Sequence, residues 1–316
     1  MKESVQLRKR FCKDFNLPIA IFESPYFEDR LNTIDKLFNC VELYDLFLEE
    51  VDRFNTEEEY FAEYNAVKDR AISYIQSHSK YAEFSDSYVP KSPVQFPKME
   101  LYSDKNCDKV FFSIDMRKAN FSTLRLLFPE IVDNCDCWED FIGKFTDLQH
   151  LKSSKYIRQV ILGACNPKKQ TQWEKYLMEG IAMSIDKRIS NLCHIVSVST
   201  DEILVESDSN CSMSACSMLS VIEQQCPDIA DFVRVSKFKL QKLSGFGWVK
   251  KFIHQSSTDG ITDEYEFKCV EAEKFHILVE LYNGGNISDD DLVFMHNGKK
   301  AKYLDALDFK LVDKQD

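Results

Sequence analysis

VSVSTDEILVE, Val196 to Glu206, reads as two short apolar strands joined by a turn that places two carboxylates side by side, Asp201 and Glu202. Short apolar runs around a tight polar connection are the pattern of a β-hairpin. The first strand extends upstream through CHIVSV, and His194 on it is expected to be a satisfied core histidine rather than a ligand. An acid in a turn is ordinary, because Asp favours turn geometry. What gives the pair meaning is a second strand that also ends on an acid. KVFFSID, residues 109–115, is a buried-strand pattern closing on Asp115, a residue that also suits a helix cap.

The elements around these strands define an α+β order. Residues 1–86 carry apolar positions at three- and four-residue spacing, as in TIDKLFNCVELYDLFLEEVDRF, and predict amphipathic helices. The stretch 85–100 holds prolines and serines and reads as a linker. A helix or turn is expected over Asn120 to Phe128. A long helical stretch follows over 152–190, broken at Cys165-Asn166-Pro167, because proline disfavours helical geometry in the residue before it. After the hairpin and a Ser-rich loop, residues 212–226 predict another helix. From Asp231 on, FVRVSKFKLQKL, GWVKKFI, YEFKCVEA and EKFHILVELY all read as strands. The expected division is a helical N-terminal region (1–90), a central α+β domain (100–232) and a β-rich C-terminal module (233–316).

Composition narrows the function classes. No run approaches the roughly 18 apolar residues of a membrane helix, and the basic N-terminus lacks a secretory core, so a cytoplasmic or nuclear protein without membrane association is expected. Eleven cysteines at irregular spacing suit reduced thiols. Cys135 and Cys137, with His150 downstream, lack the spacing of a zinc site. Neither a phosphate-binding loop nor a dinucleotide fingerprint is present. The net charge of −12 argues against a protein that grips duplex nucleic acid over its whole surface. Basic residues nevertheless cluster: residues 151–190 carry eight Lys/Arg against three acids, and Phe232 to Thr258 carry six and none. The latter interleaves Lys237, Lys239, Lys242, Lys250 and Lys251 with Phe238, Phe246 and Trp248. That mixture suits a strand-tracking surface and equally an ordinary sheet with solvated lysines.

Two segments resemble the palm of family B DNA polymerases. SIDMRKANFSTLR is similar to motif A: Asp115 falls on the metal-binding Asp, Asn120 on the tyrosine and Ser122 on the serine. VSVSTDEILV is similar to motif C: Thr200 and Asp201 match Thr-Asp, while Ser199 stands where the first Asp would be and Glu202 where the Ser would be. Between them, YIRQVILGACNPKKQ occupies the place of the fingers helix, with Leu162 at the lysine position. The resemblance spans residues 108–207, and Asp201 follows Asp115 by 86 positions. It implies a palm, an antiparallel sheet with helices on one face, and short fingers-like helices over about 150–190.

The resemblance also implies roles. Asp115 and Asp201 would hold Mg2+ (or Mn2+), with Glu202 partly replacing the missing acid. Met116, Arg117, Lys118 and Asn120 would lie near the triphosphate. Arg158, Lys155, Lys168 and Lys169 would face its phosphates, and Lys237, Lys239, Lys242, Trp248 and Lys250 would follow the nucleic acid. The activity implied is nucleotidyl transfer to a 3′-hydroxyl on primer-template with pyrophosphate release. The alternative is a degenerate palm serving as a nucleic-acid-binding or protein-interaction module, with a protein partner on the acidic N-terminal helices. An acidic interaction module without a palm is a third reading.

Overall fold

The strand ending on Asp115 is the centre of the molecule. In the computed structural model, which describes residues 4–208, 211–243, 247–254, 264–296 and 298–303, β1 (Val110–Met116) has a neighbour on each side. The chain reaches it through α1 (Val5–Asp14), α2 (Tyr26–Phe38), α3 (Cys40–Val51), α4 (Glu57–Ser77) and α5 (Ser79–Asp86). After β1 come α6 (Ala119–Leu127), α7 (Trp138–Ile142), α8 (Gln149–Ser153), α9 (Lys155–Gly163) and α10 (Pro167–Ile189). The hairpin follows as β2 (Cys193–Val198) and β3 (Glu202–Ser207), then α11 (Ala215–Gln225) and α12 (Pro227–Ala230). The chain continues with β4 (Val233–Leu243), β5 (Gly247–Phe252), β6 (Tyr265–Lys268), α13 (Ala272–Tyr282), β7 (Val293–His296) and β8 (Lys299–Lys302).

Six strands form one antiparallel sheet in the order β2-β3-β1-β4-β5-β6, and β7 with β8 form a separate ribbon. The protein is therefore α+β. The segment from β1 to β4 has the split β-α-β-β-α-β connectivity, in which each helical crossover skips one strand. The expected boundary at 232/233 falls just before β4, which pairs with β1 from Met116↔Val233 to Val110↔Lys239. The sheet thus runs across it. EKFHILVELY, expected as a strand, is helix α13, with Phe275, His276, Ile277, Leu278 and Val279 buried in succession. A short run apolar on all sides has no period to separate buried strand from buried helix.

Strand alternation divides the side chains between two faces. Phe112, Ile114 and Met116 of β1, with Ile203 and Val205 of β3, pack on Met178, Ile181, Ile185, Met218 and Ile222 of α10 and α11. Phe111 and its neighbours Leu204, Phe238, Leu240 and Trp248 form a smaller cluster on the other face, covered by Leu101 and Cys107 of the segment before β1. A third cluster joins α1–α5 to α6–α9 and to Leu243, Val249 and Phe267 of the sheet. The N-terminal helices therefore share a core with the central helices.

Two buried carboxylates bolt those helices together. Glu50 on α3 accepts from the backbone N–H of His150 (2.9 Å) and lies 2.5 Å from its Nδ1, while His150 Nε2 meets the Tyr60 hydroxyl at 3.0 Å. Asp14 accepts from Tyr64 Oη (3.0 Å), Ser154 Oγ (2.8 Å) and Arg10 Nε (3.0 Å). Burial pushes the Asp14 carboxyl up. Glu50 is also penalised by burial, but its three bonds to the His150 and Gln149 segment hold it below the usual range.

Gly247 begins β5 at φ +127°, and a Cβ there would lie 2.5 Å from the Lys268 carbonyl oxygen across the β5–β6 pair. Gly247→Ala should cost about 1–3 kcal/mol in urea denaturation, as a non-glycine residue forced into that region does. An unchanged midpoint would contradict this close approach of β5 to β6.

Candidate functional site

The polar part of the sheet's open face is built from alternate residues on four strands. In β1, Ser113 and Asp115 share the side of Phe111, opposite to α10 and α11. The register sets Asp115 opposite Glu202 on one side and opposite Arg234 on the other. Ser113 donates to Glu202 Oε1 at 2.5 Å, and Lys250 Nζ from β5 stands 3.8 Å from the same oxygen. Arg234 reaches within 3.8 Å of Asp115 Oδ2 and is itself 68% exposed. The sheet therefore gathers two carboxylates, two cations and a hydroxyl into one cluster.

Burial raises the Asp115 carboxyl; Arg234 opposes that shift, and the Glu202 and Asp201 carboxylates add to it. Burial pulls the Lys250 ammonium down, against the attraction of Glu202, Glu266 and Asp115. Lys250 Nζ lies between these acids and the Phe238 ring, whose centroid is 4.6 Å away. Tyr102, from the covering segment, is also pushed up by burial and by Glu202 and Glu266. The cluster is thus roofed on one side by an aromatic ring and open at Asp115.

The hairpin turn is closed by Ser199, the residue standing where motif C would have its first acid. Its N–H donates to the Glu202 carbonyl (2.8 Å), and its hydroxyl accepts from the Glu202 N–H (3.0 Å). The serine supplies turn chemistry in place of a metal ligand. The Met116 N–H donates to the Asp201 carbonyl at 2.8 Å, which ties the turn to the end of β1. The Asp201 side chain is exposed.

Glu174 of α10 also belongs to this region, and the sequence reading missed it. It is 8% exposed, and burial pushes its carboxyl up to about 7, with Asp201 adding to the rise and Gln170 opposing it. Gln170 in turn donates to the Asn120 carbonyl at 2.7 Å. The signal was present: Gln170, Glu174 and Met178 follow one another at four-residue spacing on the helix's buried stripe.

The other expected residues are placed as follows. Met116 is buried on the helix side, and Arg117 is exposed, with its carbonyl accepting from Ser122 Oγ. Lys118, at φ +46°, caps α6 and meets Glu139 at 2.5 Å. The Asn120 side chain accepts from the Phe121 N–H. Arg158 has a buried Nε without a hydrogen-bond partner and lies near Glu139. Lys155 lines a separate cavity with Lys9, Lys13 and Tyr156. Lys168 is exposed, and Lys169 donates to the Ser87 carbonyl.

Of the strand residues, Lys237 donates to the Met213 carbonyl (2.8 Å), Lys239 pairs with Asp108 (2.9 Å) and Lys242 with Asp104 (2.6 Å). Trp248 is buried, and Phe246 lies outside the described residues. Lys250 is the member of that set which the fold brings to Asp115 and Glu202. His194, expected in the core, is instead exposed 3.4 Å from Asp208, because β2 is the edge strand.

No family model, curated protein or solved structure matches the chain. Among the described residues no helix is long and apolar enough to cross a membrane. Nor does any group of three or more His, Cys, Asp or Glu converge there as a metal site.

Glu174 provides a readout of the region. Its folded value of about 7 lies above the ordinary 4.5, so folding favours the protonated form. That contribution is fully present below pH 4.5 and is lost as pH rises through 7. Glu174→Gln should therefore be more stable than wild type at pH 8 by on the order of 1–3 kcal/mol, with the difference vanishing toward pH 4. Denaturant midpoints across that range measure it, and a difference independent of pH would refute the assignment.

Proposed function

We propose that the chain is a palm-type nucleotidyltransferase of the DNA polymerase kind, adding nucleotides to a 3′-hydroxyl on primer-template with release of pyrophosphate. One observation carries the reading. Asp115, next to last in the central strand, lies beside a hairpin bearing Asp201 and Glu202, and burial raises its carboxyl with both hairpin acids adding to the rise against Arg234. The split β-α-β-β-α-β order, with helices behind and carboxylates in front, supports it.

The donor set fits a hard divalent cation. Mg2+ commonly takes one or two protein carboxylates and completes its shell with water and phosphate oxygens. Asp115 and Asp201 would hold Mg2+ or Mn2+, which when bound supplies charge neutralisation at the phosphates and lowers the proton affinity of the attacking hydroxyl. Burial raises the Asp115 carboxyl first, and the Glu202 and Asp201 carboxylates add to the rise against Arg234, so a divalent cation bound there would oppose that rise. Glu202 is oriented by Ser113 and Lys250 and keeps the negative potential of the turn high. Arg234 is largely exposed and only 3.8 Å from Asp115, placed to swing onto a phosphate oxygen.

A specific observation favours a second reading, a degenerate palm retained for binding. Arg234 and Lys250 already compensate Asp115 and Glu202 without a metal. Incorporation of labelled nucleotide on primer-template, with Mg2+ or Mn2+, separates the two. Asp115→Asn and Asp201→Asn should each lower the rate by at least the roughly 10–100-fold that lesser perturbations of metal sites cost. They should also weaken Mn2+ binding measured by water-proton relaxation. A wild-type protein that binds neither Mn2+ nor nucleotide in this site would leave only the second reading.

A further inference from the structure

The segment 87–98 crosses α10 as a strap and is fixed at both ends. At its start, Trp173 Nε1 donates to Ser87 Oγ (2.9 Å) and Lys169 to the Ser87 carbonyl. At its end, the Pro97 carbonyl accepts from the Val198 N–H (3.2 Å). Pro90, Pro93 and Pro97 restrict the backbone between these anchors to extended geometry. Strap and helix enclose an open trough of about 1290 Å³, floored by Val198. Small-ligand pockets usually hold about 300–1,000 Å³, so the trough is large enough for an extended ligand.

Its lining is cationic and aromatic in an acidic protein. Lys91, Lys98, Lys169 and Lys175 line it against a single acid, Glu179, which lies 3.4 Å from Lys175. Among the described residues neither Lys91 nor Lys98 has an ion-pair partner. Tyr88 is 80% exposed, the most exposed large hydrophobic side chain among the described residues, and Tyr176 also lines the trough. Two lysines without ion-pair partners along a groove with an exposed ring suit single strands, whose phosphates meet the cations and whose unpaired bases stack on the aromatic. A duplex hides those faces.

We propose that this trough binds single-stranded nucleic acid. Val198, which lines it, stands three residues before Asp201, so the trough adjoins the strand that leads into the acidic turn. The inference goes beyond the proposed catalysis, and its test needs no turnover.

The experiment is fluorescence anisotropy in EDTA, without nucleotides, using 16-residue oligo-dT, oligo-rU, a 16-base-pair duplex and a poly-glutamate peptide. Either single strand should bind at least tenfold more tightly than the duplex and the peptide. Lys91→Glu with Lys98→Glu should weaken that binding at least tenfold and flatten the log K against log salt slope by about 1.4, the share of two phosphate contacts on a single strand. Tyr88→Ala should weaken it about tenfold at unchanged slope. All three side chains are exposed, so circular dichroism should be unaltered. Single-strand affinity insensitive to both variants would overturn the proposal, as would equal binding of duplex or poly-glutamate. Because the carboxylates take no part in the measurement, loss of catalysis in Asp115→Asn with intact oligonucleotide binding leaves the two ideas separately judged.

Discussion

The register of β1 is the constraint on which the remaining geometry depends. Each of its faces is used: Phe112, Ile114 and Met116 bury against α10 and α11, while Phe111 packs under the segment before the strand and Ser113 donates to Glu202. Because side chains alternate with a period of two, a one-residue slip would turn Asp115 into the helix-side core and set Phe112 in the polar cluster. Pairing on both sides blocks that slip. β3 and β4 present Glu202 and Arg234 to the same residue, so one register fixes an acid and a cation about Asp115. The Met116 N–H bond to the Asp201 carbonyl then locks the hairpin turn to the strand end.

The helical half of the molecule reaches the same rigidity by other means. Glu50 and Asp14 are buried acceptors satisfied from several helices at once, which makes them registration points among α1, α3, α4 and the segment around α8 and α9. A buried carboxylate without such donors would cost several kcal/mol. With them, the helices have few alternative packings that satisfy both acids. Phe47 stacks edge-on against His150, and Phe11 packs on Phe47 and Tyr44, so the polar bolts sit inside an aromatic frame.

The hairpin, the strand ending on Asp115 and the break before α10 were legible because each has a local cause. Period-two or continuous apolar runs, a turn residue and a proline act within a few positions. The site was legible only in part. Asp115, Asp201 and Glu202 lie at strand ends, where sequence position translates into place. Lys250 and Arg234 reach them through strand order, and nothing local in FVRVSKFKLQKL or GWVKKFI says that β4 rather than another strand lies beside β1. Of the cations expected at the phosphates, Lys118 and Lys169 are engaged by Glu139 and the Ser87 carbonyl. The Glu50–His150 contact spans 100 positions with no spacing rule to announce it. α13 was lost for a different reason: burial on all sides erases the periodicity from which helices are read.

The opposite shifts of Asp115 and Lys250 bear on what the open face is for. In a cluster whose ion pairs fully compensated desolvation, the acid would fall and the base would rise. Here burial wins for both, raising the acid and lowering the base. The contacts of 3.8 Å from Arg234 to Asp115 and from Lys250 to Glu202 are longer than charge-assisted hydrogen bonds, which lie near 2.7–2.9 Å. Such a cluster is held together by the sheet more than by its own attraction. Lys250 is the buried charge of the set, whereas Arg234 is 68% exposed and Asp115 is partly open to solvent. The strand register, rather than the attraction between these side chains, therefore sets their positions.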